Sequence, residues 1–282
     1  MQLWQPPPEQ SAEPDILPRV APLEDAAIQR LVSGGGALVP AIVHVLDEED
    51  ALGAGYVSVQ IPGETLGRRL VAHDSLRNAR ELLGEQLAAS LAATHRARLD
   101  VASQLVPELS ISALIARFRD LLDVWGHANP PLEWALCWLE DHRPMVQRRA
   151  LCHGDFRIGN FIVGDDGLRA VLDWELSSIG DPAQDLGWLC VRSWRFAGKG
   201  ACGGFTSREA FLAAYLAQGG VPITLADVLY WEAFGNVRWA LHCVRRGLRQ
   251  GDAGFTIEDA AVGRRLAEPL HDFFDLVTTY GP

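Results

Sequence analysis

Hydrophobic spacing divides the chain into a sparse front and a regular remainder. Residues 1–22 (MQLWQPPPEQSAEPDILPRVAP) are rich in proline and carry no periodicity. Beyond one short strand at Met1–Trp4 they read as an irregular arm. At Pro22 a helical spacing begins, with Ala27, Ile28, Leu31 and Val32 on one face, and Gly34-Gly35-Gly36 stops it. Strands are predicted around Ile42–Leu46 and Tyr56–Ile61. From Ser75 the period is helical again: Leu83, Leu87 and Leu91 recur every four residues beside Ala88 and Ala92. His95 continues that stripe and reads as a core histidine. Helices at 111–125 and 132–147 follow, the second carrying Trp134, Cys137, Trp138 and Val146, with the break at His127–Pro131. Asp181-Pro182-Ala183-Gln184 opens another helix, and caps at Thr206 and Thr224 open helices near 207–218 and 225–249. A last helix is expected at about 258–277.

Between the helical halves lies a different pattern, LCHGDFRIGNFIVGDDGLRAVLDWELSSIGDPAQDLGW, from Leu151 to Trp188. Two apolar runs, Phe161–Val163 and Leu168–Leu172, flank Gly164-Asp165-Asp166-Gly167 and predict a β-hairpin. A hairpin joins its own ends, so Asp155 and Asn160 should lie beside Asp173. That gathers two hard-oxygen metal ligands, Asn160 and Asp173, with a free carboxylate, Asp155. Such a set suits Mg²⁺ and a general base.

Composition narrows the partners. A net charge of −11 argues against DNA or RNA, while leaving room for a nucleotide whose phosphates are met locally by a metal. The five cysteines (137, 152, 190, 202, 243) are odd in number and form no CxxC pair, so they read as reduced thiols in a cytoplasmic protein. No apolar run is long enough to cross a membrane, and no signal-peptide pattern opens the chain.

HGDxxxxN, then DWE, then GDPxxDLGW resembles the aminoglycoside phosphotransferase/choline kinase family of small-molecule kinases. Within it the sequence is most similar to the kinase-like region fused to some acyl-CoA dehydrogenases. The resemblance is dense over residues 151–188 and extends over most of the chain after about Val57. It implies an α+β, protein-kinase-like two-lobe fold with a truncated N-terminal β lobe and a mainly helical C-terminal lobe. Residues 1–64 would form the partial nucleotide-binding lobe and hinge, and 65–282 the catalytic lobe. It further implies ATP and Mg²⁺ as cofactors and a small-molecule hydroxyl as acceptor. Asp155 would be the base, Arg157 a cation toward the γ-phosphoryl group, and Asn160 and Asp173 the metal ligands. Val59, Gln60 and Ile61 would contact adenine from the hinge, although a core strand is an equal reading of them. Glu24 matches the helix glutamate that pairs with a strand-borne lysine. Trp4 or Gln5 stands where that lysine belongs, and no glycine-rich phosphate loop precedes it. The chain is therefore expected to start downstream of a natural beginning, with an open sheet edge.

Other residues read as support. His153 packs under the loop rather than acting as a base. Asp181 caps a helix, Asp185 can accept hydrogen bonds from the catalytic-loop backbone, and Glu175 is a supporting, metal-bound or solvated carboxylate. Arg238, Arg245, Arg246 and Arg249 read as a solvated helix end more than as an anion site. Arg192, Trp194, Arg195 and Lys199 are candidates for substrate contact; Trp231, Phe234 and Trp239 belong to the core or a pocket wall. Three functions compete: an active small-molecule kinase, a non-catalytic pseudokinase-type binding protein, and, last, a metal-dependent hydrolase ligated by His153, Asp155, Asp173 and Glu175. Substrate identity and oligomeric state are not legible.

Overall fold

The front of the chain forms a small antiparallel sheet with one helix against it. The structure, a computed structural model, describes residues 2–4, 14–145, 148–249 and 254–280. Strand β1 (Gln2–Trp4) and β2 (Ile42–Val45) flank β3 (Tyr56–Ser58), in the order β1-β3-β2. Gln5, Val146 and residues 6–13 of the arm lie outside the described residues. Helix α1 (Pro22–Gly34) starts at Pro22, but its inward face is turned from the expected one: Asp25, Ala26, Ile28, Gln29 and Val32 are buried. The polar pair Asp25 and Gln29 points in because Tyr56 of β3 satisfies both. Gln29 Nε2 lies 2.8 Å from Asp25 Oδ1 and 2.7 Å from the Tyr56 hydroxyl, which donates to Asp25 Oδ2 at 3.2 Å. Apolar spacing cannot reveal an inward face made of hydrogen-bonded polar groups.

The predicted strand to Ile61 ends at Ser58. Val59 and Gln60 are exposed and Ile61 is half-buried, so the core-strand reading does not hold there. The chain then crosses to the hairpin, where Glu64 and Val163 exchange backbone hydrogen bonds of 2.8 and 3.0 Å.

The remainder is mostly helical. Helices α2 (Gly67–Ala72), α3 (Arg77–His95), α4 (Leu99–Ala102), α5 (Ile111–Val124) and α6 (Pro130–Asp141) precede four short strands. These are β4 (Ala150–Cys152), β5 (Phe161–Gly164), β6 (Gly167–Val171) and β7 (Ser178–Gly180), paired as β4-β7 and β5-β6. Then come α7 (Ala183–Cys190), α8 (Arg208–Ala217), α9 (Leu225–Leu248), α10 (Ile257–Gly263) and α11 (Ala267–Tyr280). Leu83, Leu87 and Leu91 are fully buried, and His95 is buried beyond them. Two expected helices are shorter than their patterns. The one predicted to 147 ends at Asp141, since Pro144 disfavours helical backbone at Arg143. The one predicted at 258–277 breaks after Gly263, which lies so close to α9 that a Cβ there would stand 2.6 Å from Gly247 Cα. No helix among the described residues is long and apolar enough to cross a membrane.

Helix α7 reaches α9 through glycine. A Cβ on Gly187 would lie 2.5 Å from the Trp231 backbone, and one on Gly235 would lie 2.6 Å from Val191 Cγ2. Since α7 carries Asp185 and Trp188 and α9 carries Arg238, this close approach fixes their relative height. Gly187→Ala is expected to lower unfolding free energy by about 2–4 kcal/mol, because backbone, not a flexible side-chain end, must move. Gly34→Ala, with nothing within 4 Å of its Cβ, should change it by less than about 0.5 kcal/mol. Urea unfolding of the two variants checks the contrast.

Candidate active site

The loop between β4 and β5 is built on one buried carboxylate. Asp185, at the start of α7, accepts the His153 N–H at 2.8 Å and the Gly154 N–H at 2.9 Å. His95 Nε2 of α3 lies 3.0 Å from the same group, and its Nδ1 meets the Tyr215 hydroxyl at 2.7 Å. Burial would raise the Asp185 carboxyl; the hydrogen bond and charge of His95 outweigh it and hold the group below the usual carboxylate range. Gly154 turns the loop at φ +81°, where any Cβ would collide with Leu176 O. Both His153 nitrogens are engaged: Nδ1 accepts from the Asp155 N–H at 3.1 Å, leaving Nε2 to donate to Leu172 O at 2.9 Å. The ring is buried against Trp174, so it ligates no metal and takes no proton in this arrangement.

That turn delivers Asp155 into a set of donors. Arg157 Nε lies 3.1 Å from each carboxylate oxygen, Trp188 Nε1 donates to Oδ1 at 2.7 Å, and Asn160 Nδ2 donates to Oδ2 at 2.7 Å. Burial opposes ionisation, but the charges of Arg157 and Arg238 hold the Asp155 carboxyl below its ordinary value. The Arg157 guanidinium also covers the Trp194 ring, 4.6 Å from its centroid.

The hairpin closes the site. β5 and β6 pair Phe161 with Val171, and the Leu172 N–H donates to Asn160 O at 2.8 Å. Asp173 follows at φ +68°, a left-handed conformation that aspartate tolerates better than most residues and that is enriched at functional sites. Its carboxyl is pushed up to about 7, first by burial and then by the charges of Asp155 and Glu175, against Arg157 and Arg19. Asp155, Asn160 and Asp173 are thus brought together around the hairpin ends.

Residues 10–231 match the model of the phosphotransferase enzyme family. This chain belongs to that family. It is 45% identical over 64 residues to acyl-CoA dehydrogenase family member 10 of Mus musculus. It is 28% identical over 178 residues to family member 11 of Gallus gallus, covering 58% of this chain and 22% of that protein. The chain spans less than a quarter of the length of these two relatives. The fold is similar to that of a Ralstonia eutropha protein described as an aminoglycoside phosphotransferase (TM-score 0.75, 21% identity, 91% of this chain and 82% of that one). It is also similar to a choline/ethanolamine kinase family protein of Mesorhizobium loti (0.61, 17%, 92% and 79%) and to the GDP complex of aminoglycoside 2'-phosphotransferase-IIIa (0.61, 18%, 88% and 83%). The kinase-like phosphotransferase fold, with small sheets and a mainly helical body, is thereby shown.

Against the family pattern, the nucleotide side of the site is arranged differently from the sequence expectation. Glu24 is half-buried, and among the described residues its Oε2 has no partner, whereas its neighbour Asp25 is buried against Gln29 and Tyr56. Burial raises the Asp25 carboxyl to about 6, opposed by Gln29 and Tyr56, and the charge of Glu175 adds to the rise. At the hinge, the Val59 N–H donates to Ala41 O at 2.9 Å, so that N–H is not open to adenine in this structure. Glu175 is not a free solvated carboxylate: Arg19 pairs with it, and the Val20 N–H donates to its backbone oxygen at 2.7 Å. The only lysine in the sequence is Lys199, by an open pocket between the 196–205 loop and α2.

The four arginines read as a solvated helix end have separate partners, and two of them, Arg238 and Arg249, are buried. Arg238 is buried, donates to Gly154 O at 2.6 Å and lies over the Trp188 ring, and burial lowers its pKa to about 10. Arg245 holds Asp15; Arg246 and Arg249 hold Asp259. Arg192 pairs with Asp272 and Arg195 with Glu232, while Trp194 packs between Trp188 and Trp239. Trp231 and Phe234 are buried core residues that also line a small enclosed cavity beside Gly154. Of the residues the sequence reading passed over, Trp188 carried a signal as the end of GDPxxDLGW. Asp25 and Arg19 carried none.

The donors fit a divalent cation. Asn160 uses its Nδ2 on Asp155, which leaves Oδ1 for a ligand bond, and burial with the charges of Asp155 and Glu175 raises the Asp173 carboxyl, so a cation there would favour its ionised form. The sign of its pH effect follows. A folded-state pKa of about 7, above the unfolded value near 4, means that folding favours the protonated form. This stability is full at acidic pH and lost as pH rises through 7. Asp173→Asn should therefore match wild type near pH 4 and exceed it at pH 8 without metal. The gain should be about 1 kcal/mol, kept small because Asp173, although its carboxyl is crowded by the cleft, still presents surface to water that screens it. Unfolding in EDTA at both pH values checks this.

Proposed function

We propose that the chain is a phosphotransferase moving the γ-phosphoryl of Mg·ATP to a hydroxyl of a small molecule. The observation that carries this reading is the convergence of Asp155, Asn160 and the left-handed Asp173 at the hairpin ends. Asn160 and Asp173 would hold Mg²⁺, which when bound neutralises phosphate oxygens.

Asp155 orients the acceptor hydroxyl. With a depressed pKa it is a weak base, suited to taking the proton late, as the bond to phosphorus forms, rather than to creating an alkoxide beforehand. Its oxygens already receive Arg157, Trp188 and Asn160, so the hydroxyl must take the place of one donor. Trp188 and Asn160 are buried, whereas the Arg157 side chain is one-quarter exposed. Arg157 is the donor free to leave and turn toward the transferring phosphoryl group, where its charge is needed. Trp188 and Asn160 then hold the carboxylate in place. The soluble small-molecule acceptor lies in the cleft next to Asp155, and cytoplasmic residence agrees with five unpaired cysteines.

A second reading, a non-catalytic nucleotide-binding protein, is favoured by two observations: every oxygen of Asp155 is saturated by protein donors, and the hinge N–H of Val59 is taken. The melting temperature separates a competent nucleotide site from none. A ligand at 100 times its dissociation constant adds about 2.7 kcal/mol, a shift of about 5 °C for a protein of this size. ATP with Mg²⁺ is expected to produce that shift, ATP or Mg²⁺ alone much less, and Asp173→Ala should remove the dependence on Mg²⁺. No shift with both ligands, or the same shift in EDTA, contradicts the proposal.

A further inference from the structure

Asp155 on the loop and Asp173 and Glu175 at the hairpin end set three carboxylates at one end of the cleft, an unfavourable place for a polyphosphate unless cations offset them. Two of the cations at hand are turned to the protein: Arg238 is buried beneath Gly154, and Arg157 lies on Asp155. The third comes from the proline-rich arm. Residues Asp15–Val20 form a strap across the metal end of the site. Arg117 holds the carbonyl oxygens of Asp15 and Ile16, the latter at 2.8 Å, and Arg245 holds the Asp15 carboxylate at 2.7 Å. Ile16 and Leu17 are buried, and Val20 is tied to Glu175.

Arg19 is thus presented from a fixed base. Its Nε meets Asp15 Oδ2 at 3.0 Å and its Nη1 meets Glu175 Oε1. Among the described residues its Nη2 has no partner, and 42% of the side chain is exposed. A guanidinium has five N–H donors in a planar fork, so pairing with two carboxylates leaves donors for an anion while fixing their direction. We propose that Arg19 is a phosphate-binding residue of the cleft, donating from Nη2 to the phosphates of a nucleotide held at Asn160 and Asp173. The proposal rests on the phosphotransferase reading above. Glu175, which Arg19 holds, follows Asp173 by two residues, so the open edge of the guanidinium stands at the metal end of the cleft.

Calorimetric titration of Mg·ATP into wild type, Arg19→Gln and Arg19→Lys tests this, together with the ligand-free melting temperature of each. Arg19→Gln is expected to weaken binding at least tenfold with a melt within about 2 °C of wild type, since the strap keeps its other anchors. Arg19→Lys should recover most of the affinity. Unchanged affinity in Arg19→Gln overturns the assignment, and so does tighter binding, which would make the strap a plug. A loss that Arg19→Lys shares in full, or that tracks a lowered melt, makes Arg19 structural and overturns it as well. Wild type that binds no Mg·ATP overturns the phosphotransferase reading first and this assignment with it.

Discussion

The buried Asp185 carboxylate is the interaction on which the site depends. It ties three elements that are far apart in sequence: the β4–β5 loop through two backbone N–H groups, α3 through His95, and its own helix α7. A buried charge is tolerated only when fully hydrogen-bonded, and here each bond also sets geometry. Fixing the N–H groups of His153 and Gly154 fixes the turn at Gly154, and that turn aims Asp155. The glycine contact between α7 and α9 then decides where Trp188 and Arg238 stand relative to it.

Around this frame the cleft is an exercise in charge balance. Asp155 is held ionised by arginines and an indole, while Asp173, at the hairpin end, keeps a raised pKa, first through burial and then through the charges of Asp155 and Glu175. On the proposed reading, these opposite shifts suit divided roles: one anion receives a hydroxyl, the other meets a metal. The arm adds Arg19 at the metal end, so a stretch without regular secondary structure becomes part of the electrostatics of the site.

Much of this was legible in the sequence because it is local. Asp155, Asn160 and Asp173 are brought together by a hairpin whose turn and strands lie between them in the chain. Asp185 announced itself through the motif around it. What escaped was set by distant packing. The four arginines of α9 share a helix end but not an environment, since α7, α10, α11 and the strap surround that helix. Arg238 therefore turns inward where charge spacing suggested solvent. Asp25 turns into the core because it and Gln29 pair with Tyr56, a partner 31 residues from Asp25. The strand at Tyr56 stops at Ser58, where the chain turns outward, although its apolar run continues.

The central claim is that this constellation transfers phosphate rather than merely binding nucleotide. Water can stand in for the acceptor, so the most direct measurement is ³¹P NMR of Mg·ATP incubated with wild type and Asp155→Asn. The account predicts slow, Mg²⁺-dependent release of the γ-phosphate by wild type and a rate at least about a hundredfold lower in the variant, with nucleotide still bound. Equal rates in the two proteins, or no release by wild type that nevertheless binds Mg·ATP, would contradict it.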